Sequence, residues 1–146
     1  MQYSDKARQL VKQFEGCRLT AYLDDNGLWT IGYGRKLGLQ PTYSQISQEL
    51  ANQWLDADLT TTSRLLTAAL QGRFVPTQNQ FDALVSFCFN EGCGQFAKSN
   101  MLQRLWANDT IGALQEFGRW IRVGGHVDNG LIERRAKEAE LFNITC

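Results

Sequence analysis

The stretch AYLDDNGLWTIGYG, residues 21–34, decides how the chain is read. Strand-forming residues flank an Asp-Asn-Gly turn signal, so a hairpin is expected, with strands near residues 18–24 and 28–35. A hairpin that only packs would not spend a threonine and two glycines here, yet Thr30, Gly32 and Gly34 alternate with large apolar side chains. Alternation across a strand puts Thr20, Tyr22 and Asp24 on one face and Leu19, Ala21 and Leu23 on the other. On the second strand Thr30, Gly32 and Gly34 oppose Trp29, Ile31 and Tyr33. A two-residue Asn26-Gly27 turn would set Asp24 opposite Trp29 and mix these faces. A three-residue loop over 26–28 sets Asp24 opposite Thr30 and keeps them apart, which favours it. The front then carries a carboxylate, a hydroxyl and bare backbone, a surface against which a bulky ligand can lie.

Just upstream, Ala7, Leu10, Val11 and Phe14 recur at helical spacing between Ser4, an N-cap residue, and Gly16, a stop. That helix ends on Glu15, which can reach the groove beside the hairpin. Two carboxylates across a groove are the minimum equipment for glycoside hydrolysis: one protonates the leaving oxygen, the other assists water or attacks the sugar. Apolar Phe14 next to Glu15 would favour the protonated form by desolvation.

Downstream the pattern turns helical. Leu50, Trp54, Leu55, Leu59, Leu65, Leu66 and Leu70 predict one long helix or two abutting ones from Ser47 to about Leu70. Thr77 and Gln80 form a capping-box pattern ahead of Phe81, Leu84, Val85 and Cys88, the most apolar and therefore central helix, which stops at NEGCG. Further helices are predicted to start at Ser99, at Thr110 and near Leu131, and RVGGHVDNG, 122–130, is too rich in glycine for regular structure. No repeat or linker interrupts the chain. The expected fold class is α+β: residues 1–146 as one domain, with a small β lobe near the N-terminus, a larger helical body and a groove between them.

Composition narrows the function. Net charge is zero and the pI is near 6.6, which argues against capture of nucleic acid or anionic lipid. No apolar run is long enough for a membrane span, and the start, MQYSDKARQL, carries no secretory signal, so synthesis in the cytosol and no stable membrane insertion are expected. The basic cluster ERRAKE, 133–138, is balanced by its own glutamates and reads as a solvated helix face. Cys17, Cys88, Cys93 and Cys146 read as reduced or structural thiols, a disulfide being the lesser option. The single histidine, His126, leaves no zinc-amidase ligand set and no HExxH, and a thiol peptidase would have to use it from within a glycine-rich stretch. No metal and no cofactor are expected.

Glu15, Asp24 after eight intervening residues and Thr30 after five more, embedded in FEG…AYLDDNGLWTIGYG, resemble the catalytic segment of the phage-type lysozymes, or endolysins, glycoside hydrolase family 24. FNEG at 89–92, F…SNMLQRL ending near Leu105, FGRWIRVGG at 117–125 and GLIERRAKEAELF at 130–142 continue the resemblance in order. It implies a lysozyme-like fold and a muramidase that cleaves the β-1,4 bond between N-acetylmuramic acid and N-acetylglucosamine of peptidoglycan glycan strands. Glu15 would be the proton donor, and Asp24 and Thr30 would hold and activate the attacking water, with inversion. Gly34, Phe89, Asn90 and Ser99 would contact saccharide, although Phe89 also suits a core and Ser99 also suits an N-cap. Family members commonly have His where this chain has Arg35, a structural position that pairs with a carboxylate, and arginine can pair too. The resemblance further implies a monomer that leaves the cytoplasm through a holin-type lesion and acts in the periplasm. A lytic transglycosylase and a catalytically silent wall-binding module are the alternatives.

Overall fold

The computed structural model describes residues 1–145, so Cys146 lies outside the described residues. Helix α1 spans Asp5–Glu15 between the expected caps: the Lys6 N–H donates to Ser4 Oγ, and Gly16, at φ +63°, donates its N–H to Lys12 O. Strands β1 (Arg18–Leu23), β2 (Trp29–Gly32) and β3 (Arg35–Gly38) then form an antiparallel sheet in that order. The third strand was not foreseen, since the second was expected to run on to residue 35. Positive φ at Gly32 (+67°) and Gly34 (+86°) turns the chain there instead.

The register also differs from expectation. Tyr22 pairs with Thr30 and Leu23 with Trp29, so the loop covers residues 25–27 and Asp24 faces Leu28 rather than Thr30. The cause is the aspartate itself, whose Oδ1 accepts from Asn26 N–H and Leu28 N–H, each at 2.9 Å, and tightens the turn. The loop keeps its expected three-residue length, and an offset of two residues leaves Asp24 and Thr30 on one face, as expected. Gly32 departs from that front: a Cβ there would meet Ile46 Cδ1 at 3.5 Å and Ala51 Cβ at 3.7 Å, behind the sheet. Ile31, Ile46 and Ala51 form the small core of this lobe, with Leu19, Ala21, Leu37 and Trp54 packed around it.

Helix α2, Gln48–Leu70, is a single helix of 23 residues capped by Ser47 and joins the two lobes. Its start packs on the sheet through Ala51, while Leu55, Leu59, Leu66 and Leu70 enter the main core. Helix α3, Gln78–Glu91, carries both arms of the Thr77–Gln80 capping box. Phe81, Leu84, Val85, Phe87 and Cys88 are buried on it, making it the central helix; each large apolar side chain so buried contributes about 1.5–3 kcal/mol. Around it stand α4 (Cys93–Ala97), α5 (Asn100–Trp106), α6 (Thr110–Glu116), a 3₁₀ turn at Phe117–Arg119, and α7 (Asn129–Phe142). Short α4 was not foreseen. Nor was the hairpin of β4 (Arg122–Val123) and β5 (His126–Val127) in the glycine-rich stretch, where Gly124 and Gly125 at φ +56° and +82° supply a two-residue turn. Among the described residues no helix is long and apolar enough to cross a membrane.

Candidate active site

Glu15 stands at the last position of α1, where Gly16 ends the helix and frees the side chain to leave the helix surface. Its Oε2 accepts from Arg134 Nη1 at 2.7 Å. Its Oε1 lies over Gly34, close enough that a Cβ there would come within 2.9 Å. The glycine of TIGYG therefore makes room for the glutamate itself, as well as meeting the positive φ.

Asp24 is placed by the turn and by β3. Besides the two peptide N–H groups on Oδ1, its Oδ2 receives Lys36 Nζ at 2.5 Å. The Lys36 ammonium and those N–H groups hold its carboxyl below the usual aspartate range, so it stands as an anion. Thr30 is buried on β2, and its hydroxyl donates to Leu28 O at 3.2 Å. Asp24 and Thr30 are thus tied to opposite ends of one residue, Leu28, which donates to the first and accepts from the second.

A cleft of about 540 Å³ lies between the lobes, lined by Glu15 and Gly34, by Tyr22, Arg35 and Lys36 of the sheet side, and by α2 and α3 residues. Neither Asp24 nor Thr30 is among its lining residues. Both adjoin residues that line it: Asp24 pairs with Lys36, and Thr30 is paired with Tyr22 on one side and Lys36 on the other. From the helical side come Asp58, Thr61 and Thr62 of α2 and Phe89 and Asn90 of α3. The volume and the converging polar groups suit an oligosaccharide segment. A second hollow of about 370 Å³ between α1 and α7 is more apolar and holds none of the predicted site residues.

The predicted contact residues divide. Gly34, Phe89 and Asn90 share the cleft with Glu15, and Asn90 presents its carbonyl to Arg135 Nη2 at 2.5 Å, leaving its amide nitrogen for the cleft. Ser99 does not join them. It is buried as the N-cap of α5, where its hydroxyl donates to Phe96 O at 2.7 Å and accepts from Leu102 N–H at 3.1 Å. Arg35 pairs with a carboxylate, Asp58, at 3.3 Å and lies over the Trp54 ring at 4.6 Å. Burial pushes the Asp58 carboxyl up, and Arg35 offsets part of that.

Sequence reasoning missed Lys36, Asp58, Thr61 and Thr62. The last three recur at i, i+3 and i+4 on the polar side of α2, which marks a shared face without saying what it meets. It also misjudged ERRAKE: Arg134, Arg135 and Glu138 are 3%, 1% and 0% exposed, not a solvated face. They are buried because α7 lies across α1 and α3, whose Glu15, Ser86, Asn90 and Glu91 supply the partners. Cys17, Cys88 and Cys93 are free thiols.

Residues 12–138 match a family model described as phage lysozyme. The endolysin of Acyrthosiphon pisum secondary endosymbiont phage 1 is 40% identical over 147 residues, covering 97% of this chain and 98% of its own. The endolysin of Bacillus phage PZA is likewise 40% identical over 145 residues and matches 98% of this chain, which spans 55% of that relative's length. The muramidase domain of SpmX from Asticaccaulis excentricus superposes with a TM-score of 0.88 at 34% identity, covering 99% of each chain.

Proposed function

Because the chain belongs to the phage lysozyme family, we propose that it hydrolyses the β-1,4 bond between N-acetylmuramic acid and N-acetylglucosamine in peptidoglycan. Glu15 is its proton donor, and Asp24 with Thr30 its water-holding pair. The observation that supports this reading is that Glu15 and Lys36 line one cleft while Lys36 touches Asp24. Two carboxylates in unlike surroundings can divide the work: one gives a proton, the other stays ionised.

Arg134 holds Oε2 of Glu15, so the oxygen over Gly34 is the one that hands its proton to the glycosidic oxygen. Asp24 keeps its charge and takes the proton of a water that attacks the opposite face of the sugar, giving inversion. Lys36 is more than half exposed, and its flexible stem can swing off Asp24 as the sugar enters. Gly34, Phe89 and Asn90 bind saccharide. Residues 1–146 work as one lysozyme-like catalytic domain and as a monomer. The protein is made in the cytosol, reaches the periplasm through a holin-type lesion and lyses the cell by acting on the wall.

The test is mass analysis of muropeptides released from sacculi by the wild type beside Glu15→Gln. Reducing ends from the wild type and no release by a folded Glu15→Gln are expected. Anhydro ends would make the protein a lytic transglycosylase, which needs only the acid. Binding to sacculi without release would make it a wall-binding protein.

A further inference from the structure

A guanidinium can only donate hydrogen bonds, and the side chain of Asn90 is held by one. Asn90 stands in the last turn of α3 and lines the cleft with Glu15 and Phe89. Its Oδ1 accepts from Arg135 Nη2 at 2.5 Å. Arg135 has no acceptor to offer, so the reverse orientation of the amide would set donor against donor; the carbonyl must face the arginine and the NH2 group must face away. Among the described residues nothing accepts from Asn90 Nδ2, yet it is not one of the enclosed polar atoms left without a partner. The nitrogen is therefore open, on a residue that borders the cleft.

Arg135 itself cannot turn away. Its side chain is buried and clamped by three neighbours. Nη1 donates to Glu91 Oε1 at 2.9 Å, Nε stands 2.8 Å from Glu138 Oε1, and the guanidinium lies over the Phe87 ring at 5.0 Å. The remaining arm of its planar fork is the one that reaches Asn90.

We propose that Arg135 is a positioning residue for substrate recognition: by fixing Asn90 with its NH2 group toward the cleft, it sets a donor that takes the acetamido carbonyl oxygen of a hexosamine and selects N-acetylated glycan strands over de-N-acetylated ones. The inference deepens the muramidase reading and rests on it for the identity of the glycan. A sugar hydroxyl can donate or accept and is not selected by a fixed donor, whereas a carbonyl oxygen only accepts. The acetamido group puts such a carbonyl on every sugar of the strand. Loss of the acetyl leaves an ammonium, which only donates, and against the same NH2 group both donors go without a partner.

The experiment is calorimetric binding of soluble peptidoglycan glycan strands, N-acetylated or chemically de-N-acetylated, with Glu15→Gln protein used to suppress cutting. Acetylated strands are expected to bind about tenfold or more tightly than de-N-acetylated ones. Adding Asn90→Asp places an acceptor where the donor stood, and this ratio is expected to fall by about tenfold or more. Adding Arg135→Gln lets the amide turn either way, since glutamine both donates and accepts, and the ratio is expected to fall by about threefold or more. Arg135→Lys, which only donates, is expected to keep more of the preference than Arg135→Gln. A merely structural role for Arg135 would weaken both strands alike and leave the ratio where it was. A ratio near one at the outset, or one that Asn90→Asp or folded Arg135→Gln leaves unchanged, would overturn the proposal. Removing one partner of a buried pair can prevent folding. Should that happen, Arg135→Gln with Glu138→Gln withdraws one charge of each sign and is held to the same fall. Binding is read without turnover, so the two readings fail separately: an unchanged ratio in a protein that does release fragments from the wall overturns this one alone, and a protein that binds neither strand overturns both.

Discussion

Lys36 Nζ lies 2.5 Å from Asp24 Oδ2, so the anion proposed to activate water is paired with a lysine from the neighbouring end of the same sheet. Lys36, with the peptide N–H groups of Leu28 and Asn26, depresses the proton affinity of Asp24 in the folded state. A depressed carboxyl keeps its charge as pH falls until its own lowered value is reached. The acid limb of the kcat/KM profile, which reports the free enzyme, is therefore expected below the usual aspartate range, and Lys36→Met should move it upward. A limb that stays put in Lys36→Met would mean that Asp24 does not set it.

Asp24→Asn should lower the rate by about a hundredfold or more, the scale of a positioned base. Its exposed neighbour Asp25 has no such placement, and Asp25→Asn should stay within about twofold of wild type. Turbidity loss of permeabilised cells measures both, and equal losses would refute the assignment.

Gly34→Ala must meet Glu15 Oε1 at 2.9 Å and adopt φ +86°, whereas Gly27→Ala must adopt φ +77° with nothing within 4 Å. Both should lose about 1–3 kcal/mol of stability from the backbone alone. Only Gly34→Ala should also lose activity, by about tenfold or more, because it displaces the acid. Denaturant titration paired with rate measurement separates the two, and full activity in Gly34→Ala would show that the glutamate moves aside without consequence.

Burial raises Asp58's proton affinity in the folded state more than Arg35 lowers it. For such a group the native state binds the proton more tightly than the unfolded chain, so stability drops as pH rises through the window between the two values. At neutral pH the carboxylate is a mild burden, and Asp58→Asn should change stability by less than about 1 kcal/mol. It should also flatten the decline of stability just above the usual aspartate range. A loss of more than about 2 kcal/mol near pH 7 would instead make the Arg35 pair a net stabiliser.

Ser99→Ala removes a helix cap and should cost about 1 kcal/mol with KM unchanged. Asn90→Ala, at the cleft, should raise KM. Urea unfolding and saturation kinetics on soluble glycan fragments check both, and a raised KM in Ser99→Ala would return that residue to the binding surface.

Much of this was legible in the chain because it is local. Ser4, Ser47 and Thr77 each bond to a peptide N–H two or three residues ahead, so these helix starts are written into a few adjacent positions. Asp24 and Thr30 stayed on one face despite an error in pairing, because shifting by two residues preserves which side each side chain takes. Order and spacing of the motifs carried the family, and Glu15, Gly34, Phe89 and Asn90 do meet in one cleft.

Arg134 and Glu15 are 119 residues apart and 2.7 Å from each other, and no periodicity forecasts that. An arginine with a glutamate three or four places along a helix reads the same whether that face meets water or protein. Which it meets depends on the element that comes to lie across it, and here α1 and α3 close over α7. The same holds for Asp58, Thr61 and Thr62, whose shared face was readable while the cleft opposite was not. Sequence by itself determined the longer helices, the α+β class and the spacing of Glu15, Asp24 and Thr30, since short-range hydrogen bonds and side-chain alternation act over a few residues. Tertiary structure alone decided which charges are buried, that Gly34 makes room for Glu15 and that Ser99 lies away from the cleft, because desolvation and close contact arise only between segments that the fold brings together.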